Sequence, residues 1–231
     1  MSFRIDRAVF EQQPHLYIGA VVVKGVDNRT PNPSVKTFLD ECVEQLTVAM
    51  KGVKAKEHPM VLPFRGAFNA LGYNPNKFQP SIEALATRIE KGKGMPSINP
   101  IVDLGNAISL KYVLPLGAHP LNEMDEEVRF ARKGDVFRPF GATEDEEPDV
   151  GELIYATGNI VGTRRWIWRQ SEYSKVEADT TDVFVPIDGF IFIRDKVDAA
   201  VEELAYRFIE FFGVTPSAVG IVHINNPELV F

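Results

Sequence analysis

Residues 97–106 read Ser-Ile-Asn-Pro-Ile-Val-Asp-Leu-Gly-Asn, and this stretch decides how the rest of the chain is interpreted. Asn99 followed by Pro100 indicates a helix start, because an Asn side chain caps free backbone N–H groups and proline fits the first helical position. Asp103 and Asn106 follow three residues apart, so they share one face of the predicted helix. Asp103 falls in the first turns, where the helix dipole favours a carboxylate.

The sequence around this helix predicts helices and strands in an irregular order. Residues 16–26 are almost continuously apolar, which is typical of a strand buried on both faces. Further strands are predicted at 128–131, 152–155, 159–165 and 219–224, and further helices at 32–52 with Cys42 in the core, at 81–91, and at 195–213 with Asp195 as its cap and Ile209 facing inward. No regular strand–helix–strand period is present. The pattern favours α+β: a single mixed domain over residues 1–231, with layered β-sheets and packed helices.

A hairpin is predicted from residues 183–193, which read Val-Phe-Val-Pro-Ile-Asp-Gly-Phe-Ile-Phe-Ile. Asp188-Gly189 suits the two-residue type I′ turn that joins antiparallel strands. Pro186 lacks a backbone N–H, so the first strand of this hairpin is expected at a sheet edge or a bulge.

Composition excludes several classes of protein. The chain has 231 residues, of which 45% are hydrophobic and 25% charged, with no apolar run long enough to span a bilayer. A single cysteine rules out an internal disulfide and a multi-cysteine metal site. The four histidines lack metal-ligand spacing, and no cofactor motif is found. We expect a cytoplasmic protein with no signal peptide, no membrane association, no metal and no cofactor.

Charge is unevenly distributed along the chain. The net charge is −7, which argues against sequence-independent nucleic-acid coating, and no DNA partner is expected. Residues 1–120 carry 14 Lys and Arg against 10 Asp and Glu, whereas residues 121–231 carry 11 against 22. A polyanionic partner is therefore expected to contact the first half and local basic positions in the second. Chance asymmetry is the alternative interpretation.

Residues 162–170, Gly-Thr-Arg-Arg-Trp-Ile-Trp-Arg-Gln, combine aromatic and guanidinium side chains. Read as one strand, they alternate between two faces, with Arg164, Trp166, Trp168 and Gln170 on one and Arg165, Ile167 and Arg169 on the other. Tryptophan beside arginine suits stacking on an unpaired base and neutralising a phosphate. In the alternative interpretation, the tryptophans belong to the core and the arginines pair with the acidic second half.

Several segments together resemble one family. Residues 88–106 lead from an Arg-bearing helix into the Val-Asp-x-x-Asn helix, residues 114–118 read Leu-Pro-Leu-Gly-Ala, and residues 174–180 read Ser-Lys-Val-Glu-Ala-Asp-Thr. In this order they resemble the B3/B4 editing domain of the bacterial phenylalanyl-tRNA synthetase β subunit. The likeness to freestanding B3/B4-domain proteins is closer still, and it is strongest over residues 80–190.

The resemblance implies a B3/B4 fold and a function on tRNA. The synthetase domain binds the 3′ end of a mischarged tRNA and hydrolyses the aminoacyl ester, so the expected function is tRNA editing in trans: an aminoacyl-tRNA deacylase acting on RNA. Synthetase activity is not expected, because no aminoacylation domain is present. Two alternatives stay open: a non-catalytic protein of the same fold that binds an RNA end or an amino acid, and an unrelated small-molecule enzyme.

The resemblance transfers to individual residues only in part. Asn106 matches the family's Asn and is expected to orient the water or hold the ester. The family's editing His falls on Gly117; His119 lies two positions later, on the same face of an extended segment, and is the candidate general base. Gly105 replaces the family's Thr, and Pro186 replaces its editing Glu.

The expected substrate-binding residues complete the candidate site. They are Asp103, Arg65, Arg165, Trp166, Trp168, Arg169 and Gln170. For Asp103 the alternative is a buried hydrogen-bond acceptor at the helix start, and for Arg65 it is an exposed charge. Trp166 falls near the small residues of the synthetase pocket, which it would fill.

Overall fold

The computed structural model describes residues 1–231, which form two β-sheets and six α-helices. The helices are α1 (Arg7–Gln12), α2 (Pro33–Ala49), α3 (Leu62–Ala70), α4 (Ser81–Glu90), α5 (Pro100–Tyr112) and α6 (Arg194–Phe212). The strands are β1 (Ser2–Ile5), β2 (Leu16–Val23), β3 (His119–Pro120), β4 (Glu126–Phe130), β5 (Leu153–Thr157), β6 (Ile160–Arg164), β7 (Arg169–Gln170), β8 (Val183–Phe190), β9 (Ala218–His223) and β10 (Glu228–Val230). The predicted α+β class is confirmed.

The two sheets differ in size and in burial. The larger has strand order β10-β1-β4-β5-β6-β7, in which only the β1–β4 pair is parallel. The smaller has order β3-β8-β2-β9 and is antiparallel throughout. Every residue of β2 and β8 is buried, as the apolar run at residues 16–26 predicts.

The helix ends follow the capping residues of the sequence. The Asn99 side chain accepts a hydrogen bond from the Val102 N–H and starts α5, and Asn32 does the same for α2. Gly213, at φ 66°, ends α6 in the left-handed conformation. The prediction for the start of α6 is wrong: the helix begins without a side-chain cap, and Asp195 lies in its first turn.

The smaller sheet has helices on one face and the larger sheet on the other. Helix α6 packs directly on β2 and β8 at glycines, since a Cβ at Gly19 or Gly189 would lie 2.1 or 2.4 Å from a valine methyl of α6. On the opposite face, Phe3 of the larger sheet packs against Phe184 of β8, and Tyr155 stacks on Phe3. The main core that results is a cluster of 50 buried hydrophobic residues, and a second cluster of five contains Phe137 and Val161.

The hairpin predicted at residues 183–193 is wrong. Residues Val183–Phe190 form one continuous strand that pairs with β2 along its whole length. Gly189 lies within this strand, where the missing side chain lets α6 approach closely. Asp188 points to the opposite face because side chains alternate along a strand. This alternation directs a carboxyl group into the space between the two sheets.

Pro186 is not in an edge strand, contrary to expectation. Its carbonyl accepts from the Gly117 N–H, so its nitrogen also faces the segment 115–120, where pairing to β8 is incomplete. The missing N–H therefore costs β8 no hydrogen bond to β2.

Two further expectations concern single side chains of the helices. Cys42 is 1% exposed, as predicted for a core residue, and burial raises the pKa of its thiol to about 11. Ile209 is 47% exposed, so its predicted inward orientation is wrong. No helix has both the length and the apolar composition required to cross a membrane.

Candidate functional site

A cavity opens between the end of the larger sheet and the β3–β8 side of the smaller one. Its empty volume, which includes space open to solvent, is about 420 Å³. We call it the central cavity. It is lined by residues of both sheets and of the start of α4: Ser81, Pro115, Leu116, Gly117, His119, Tyr155, Thr163, Trp166, Ile167, Trp168, Arg169, Gln170, Pro186 and Asp188.

A tight turn brings the tryptophans to this cavity. The prediction that residues 162–170 form one strand is wrong. Strand β6 ends at Arg164, residues 165–168 form a turn, and β7 pairs back onto β6. Arg165 (φ 44°) and Trp166 (φ 62°) both have left-handed backbone conformations, which are strained for residues with a Cβ. The turn directs Trp166 into the protein interior, where it is 0% exposed.

Asp188 is the buried carboxylate of the central cavity. Its Oδ1 accepts hydrogen bonds from the Tyr155 hydroxyl at 2.7 Å and from the Trp166 indole N–H at 2.6 Å, and no cationic side chain pairs with it. Burial raises the pKa of the Asp188 carboxyl to about 7, although both hydrogen bonds act in the opposite direction. The strained turn therefore supplies one of the two donors that hold this carboxyl group.

The second oxygen of Asp188 and both ring nitrogens of His119 have no partner in the protein. Arg129 Nε is the one buried side-chain nitrogen or oxygen that both lacks a partner and is sealed from the surface. The unpartnered atoms of Asp188 and His119 are therefore accessible, and both residues line the central cavity. A bound molecule can reach them with its own polar groups.

The His119 imidazole lies between two glycines. A Cβ at Gly117 would lie 3.0 Å from its Nε2, and a Cβ at Gly162 would lie 3.1 Å from its Nδ1. The ring also lines a second cavity on the Gly162 side, with an empty volume of about 630 Å³. Burial lowers the pKa of His119 to about 4, so the ring is neutral at pH 7.

Three predicted binding residues form the rim of the central cavity. Trp168 is half-buried and packs edge-on against Phe78, with ring centroids 4.8 Å apart. Arg169 is exposed and has no ion pair. Gln170 donates from Nε2 to the carbonyls of Ala118 and Ser174. The rim thus offers an aromatic face and an unpaired guanidinium group.

Four predicted site residues do not line the central cavity. Asn106 is half-buried on α5, and its side chain forms no hydrogen bond. Asp103 is 3% exposed and accepts hydrogen bonds from Ser97 and from the Ile98 N–H. Arg65 pairs with buried Glu83 at 2.7 Å. Asp103 and Arg65 therefore brace neighbouring loops and helices.

The arginines that start the turn pair with the acidic second half of the chain. Arg164 forms a two-pronged pair with Glu152 and a further bond to Glu146, each at 2.7–2.9 Å. Arg165, the fourth residue outside the cavity lining, pairs with Asp149 at 3.0 Å and stacks 4.0 Å from the centre of the Phe78 ring. For these two arginines, the alternative interpretation of the sequence describes the structure.

The sequence prediction missed Asp188 and Tyr155 as site residues. A carboxylate inside the apolar run 183–193 was the available signal, because a lone carboxylate is rarely buried without a purpose. The Asp-Gly turn chemistry competed with that interpretation. No group of three His, Cys, Asp or Glu side chains is arranged to hold a metal ion.

Fold and site together define an α+β protein with an open, mainly apolar cavity between two sheets, which a few polar side chains also line. The model of the B3/4 domain family matches residues 64–208, and the chain belongs to this family. Among solved structures, the chain is similar to an N-terminal fragment of the phenylalanyl-tRNA synthetase β-subunit from Pyrococcus horikoshii, with a TM-score of 0.49 and 12% identity. The likeness covers 93% of this chain and 49% of that one, so the chain spans about half of that fragment. A search of curated proteins found no match.

Proposed function

We propose that this protein recognises the aminoacylated 3′ end of a tRNA in the central cavity and hydrolyses the ester of a wrong amino acid in trans. One observation carries the proposal: His119, Trp166, Trp168, Arg169 and Gln170 line one open cavity. Membership of the B3/4 domain family supports it, together with the segments that resemble the editing domain of the synthetase.

The rim of the central cavity suits a nucleotide. A terminal adenine can stack on the half-buried ring of Trp168, and the exposed Arg169 can neutralise a phosphate beside it. Base stacking on an aromatic side chain holds any unpaired base, and the terminal adenosine is present in every tRNA. The rim therefore holds the nucleotide, while the aminoacyl group extends towards Asp188 and His119.

His119 is the proposed group that activates water. Its ring is neutral at pH 7 and both nitrogens are accessible, so one of them can accept a proton from a bound water. The water oxygen bonds to the ester carbonyl carbon, the bond to the ribose oxygen breaks, and the proton ends on that ribose oxygen. Gly117 supports the role, because the His119 ring fills the space beside the position where the family's editing histidine falls.

The direct test is to incubate the protein with a panel of mischarged tRNAs and to follow the loss of aminoacyl ester. We expect at least one ester to be lost faster than in buffer. His119→Ala is expected to slow that loss by about 10²-fold or more, whereas the exposed His15→Ala provides a matched control with unchanged rate. The proposal fails if no ester is lost faster than in buffer.

The sequence motif and the position of the central cavity lead to opposite expectations for Asn106. The motif gives Asn106 a catalytic role, but the side chain does not line the central cavity. We therefore expect Asn106→Ala to change the deacylation rate by less than about threefold, far below the effect expected for a residue that contacts the reacting atoms. A loss equal to that of His119→Ala would instead assign the chemistry to the face of α5.

Recognition without hydrolysis is the second candidate function. It is favoured by the position of Asn106 outside the central cavity and by the low pKa of His119, which makes that ring a weak base. A 3′-aminoacylamino-adenosine cannot be hydrolysed and tests binding alone. Tight binding of this compound without deacylation of any tRNA would support this second function.

A further inference from the structure

The second cavity, on the Gly162 side of His119, contains a buried carboxyl group that the proposed hydrolysis does not use. Glu126 lines this cavity and is 2% exposed. Its Oε1 accepts one hydrogen bond, from the Thr157 hydroxyl at 2.9 Å. Its Oε2 has no partner and is not sealed in protein, so it opens on the cavity. We call this space the Glu126 cavity.

No positive charge of the protein balances Glu126. The lining of the Glu126 cavity contains no Lys or Arg, and Glu126 takes part in no ion pair. Burial raises the pKa of the Glu126 carboxyl to about 7, and Thr157 only partly opposes this effect. A buried carboxylate without a partner is costly, and a bound cation removes that cost.

The remaining polar groups of the Glu126 cavity limit the kind of cation. The Ser174 hydroxyl donates to the Gly162 carbonyl at 2.7 Å, and the Tyr173 hydroxyl is engaged with Arg138 and Asp145. His119 Nδ1 faces Gly162 and remains free to accept a hydrogen bond. The Asn122 side chain, at the exposed edge of the cavity, accepts from the Met124 N–H through its Oδ1. The two buried acceptors that remain free, one carboxylate oxygen and one imidazole nitrogen, suit a group with several N–H donors.

We propose that the Glu126 cavity binds the primary ammonium group of a small organic amine, held by the Glu126 carboxylate and His119 Nδ1. The absence of Lys and Arg from the lining excludes zwitterions, because a free carboxylate of the ligand would find no cation. The ligand class is therefore a monocation, such as an amine without a carboxyl group or an amino acid whose carboxyl group is esterified.

Three ligands that share a 3-methylbutyl skeleton test the charge requirement by isothermal titration calorimetry at pH 7.5. They are 3-methylbutylamine (a cation), 3-methylbutan-1-ol (a neutral molecule of the same size) and L-leucine (a zwitterion, which is 3-methylbutylamine with a carboxylate on the amine-bearing carbon). We expect saturable binding of the amine, and affinities at least about tenfold lower for the alcohol and for L-leucine, since a charge-assisted hydrogen bond is lost or a charge is left unpaired. Equal affinity for the amine and the alcohol would overturn the proposal.

Glu126→Gln tests the position of the site. The glutamine keeps the shape and can still accept from Thr157, but it has no charge, so amine affinity should fall at least about tenfold. Glu44→Gln, which removes an exposed carboxylate on α2 far from both cavities in the sequence of elements, is the matched control and should bind the amine like wild type. The ring signals of His119 in NMR spectra should shift with the amine. Unchanged binding by Glu126→Gln, or unmoved His119 signals, would overturn the assignment.

This inference and the proposed hydrolysis fail separately. Amine binding that depends on Glu126 but occurs in a protein that deacylates no tRNA would contradict the hydrolysis alone. Deacylation by a protein that shows no Glu126-dependent binding of 3-methylbutylamine would contradict the amine site alone. Circular dichroism and the melting temperature of Glu126→Gln verify that the variant is folded.

Discussion

Asp188 and Glu126 are buried carboxyl groups that lie on the two sides of the Tyr155–His119 region without a cationic partner. Each is 2% exposed, and burial raises the pKa of each to about 7. A carboxyl group whose folded pKa exceeds its unfolded value binds more protons in the folded state. Its contribution to stability is therefore complete at low pH and is lost as pH rises towards 7.

Asp188→Asn should remove this loss of stability. Asparagine keeps an oxygen that accepts from Tyr155 and Trp166, so the two hydrogen bonds survive. Relative to the variant, wild type should lose about 3 kcal/mol of unfolding free energy between pH 5 and pH 8, because each unit of pKa shift corresponds to about 1.4 kcal/mol. Urea denaturation at both pH values measures the difference. Parallel pH profiles for the two proteins would show that Asp188 is not buried in this way.

The turn at residues 165–168 is the structural element that brings Trp166 into the central cavity. Its two left-handed residues reverse the chain between β6 and β7, and Trp166 thereby reaches Asp188. The Ser81 N–H donates to the Ile167 carbonyl, which fixes the turn to the start of α4. The backbone strain of the turn is offset by these tertiary contacts, since neither residue favours positive φ.

Trp166→Phe tests the connection between the turn and Asp188. The variant loses the indole donor to a buried carboxyl group, and we expect about 2 kcal/mol of lost stability. It should also raise the pKa of Asp188 further, because that hydrogen bond lowers it in wild type. Trp168→Phe is the matched control, since its ring makes no such bond, and it should cost less. Denaturation and NMR titration of the Asp188 carboxyl group measure both effects; equal costs for the two variants would contradict the account.

Exposed lysines of the first half of the chain form the surface that best suits a polyanion. Exposed Lys51 and Lys54 line a groove with Gly92, which lies between exposed Lys91 and Lys93. We call these four residues the lysine groove. Of the four, only Lys54 has an ion-pair partner, Glu90. Acidic residues of the second half pair with Arg4 and Lys111 of the first half but with none of the lysine groove, so Lys51, Lys91 and Lys93 are without an ion pair.

The lysine groove predicts a salt-dependent component of tRNA binding. Lys51→Ala combined with Lys93→Ala should weaken binding of uncharged tRNA and reduce the slope of log affinity against log salt by about one unit for each lost phosphate contact. Lys133→Ala, an exposed lysine of the acidic half, should leave the slope unchanged. Filter binding over a range of salt concentrations measures the slope. An unchanged slope in the double variant would place the RNA elsewhere.

The sequence predicted those features that depend on neighbouring residues. The caps of α2 and α5, the buried strand β2, the glycine that ends α6 and the core position of Cys42 all follow from spacings of a few residues. The same local rules misplaced Asp188-Gly189 and residues 162–170. In both cases tertiary packing overrode the local preference: α6 required a glycine in a strand, and the surrounding contacts hold a turn that its residues disfavour.

The α+β class, most helices and strands, and the family could thus be predicted from local sequence patterns. Which polar residues meet depended on tertiary packing. Asp188, Tyr155 and His119 come from distant parts of the chain, and their distances depend on how β8 aligns with β2 and on how the two sheets face each other. Asp103 and Asn106, three residues apart in the motif at residues 97–106, lie outside the central cavity because α5 directs their side chains elsewhere. Helices and strands can be predicted from residue spacing over short distances, whereas the central cavity forms only through contacts between distant parts of the chain.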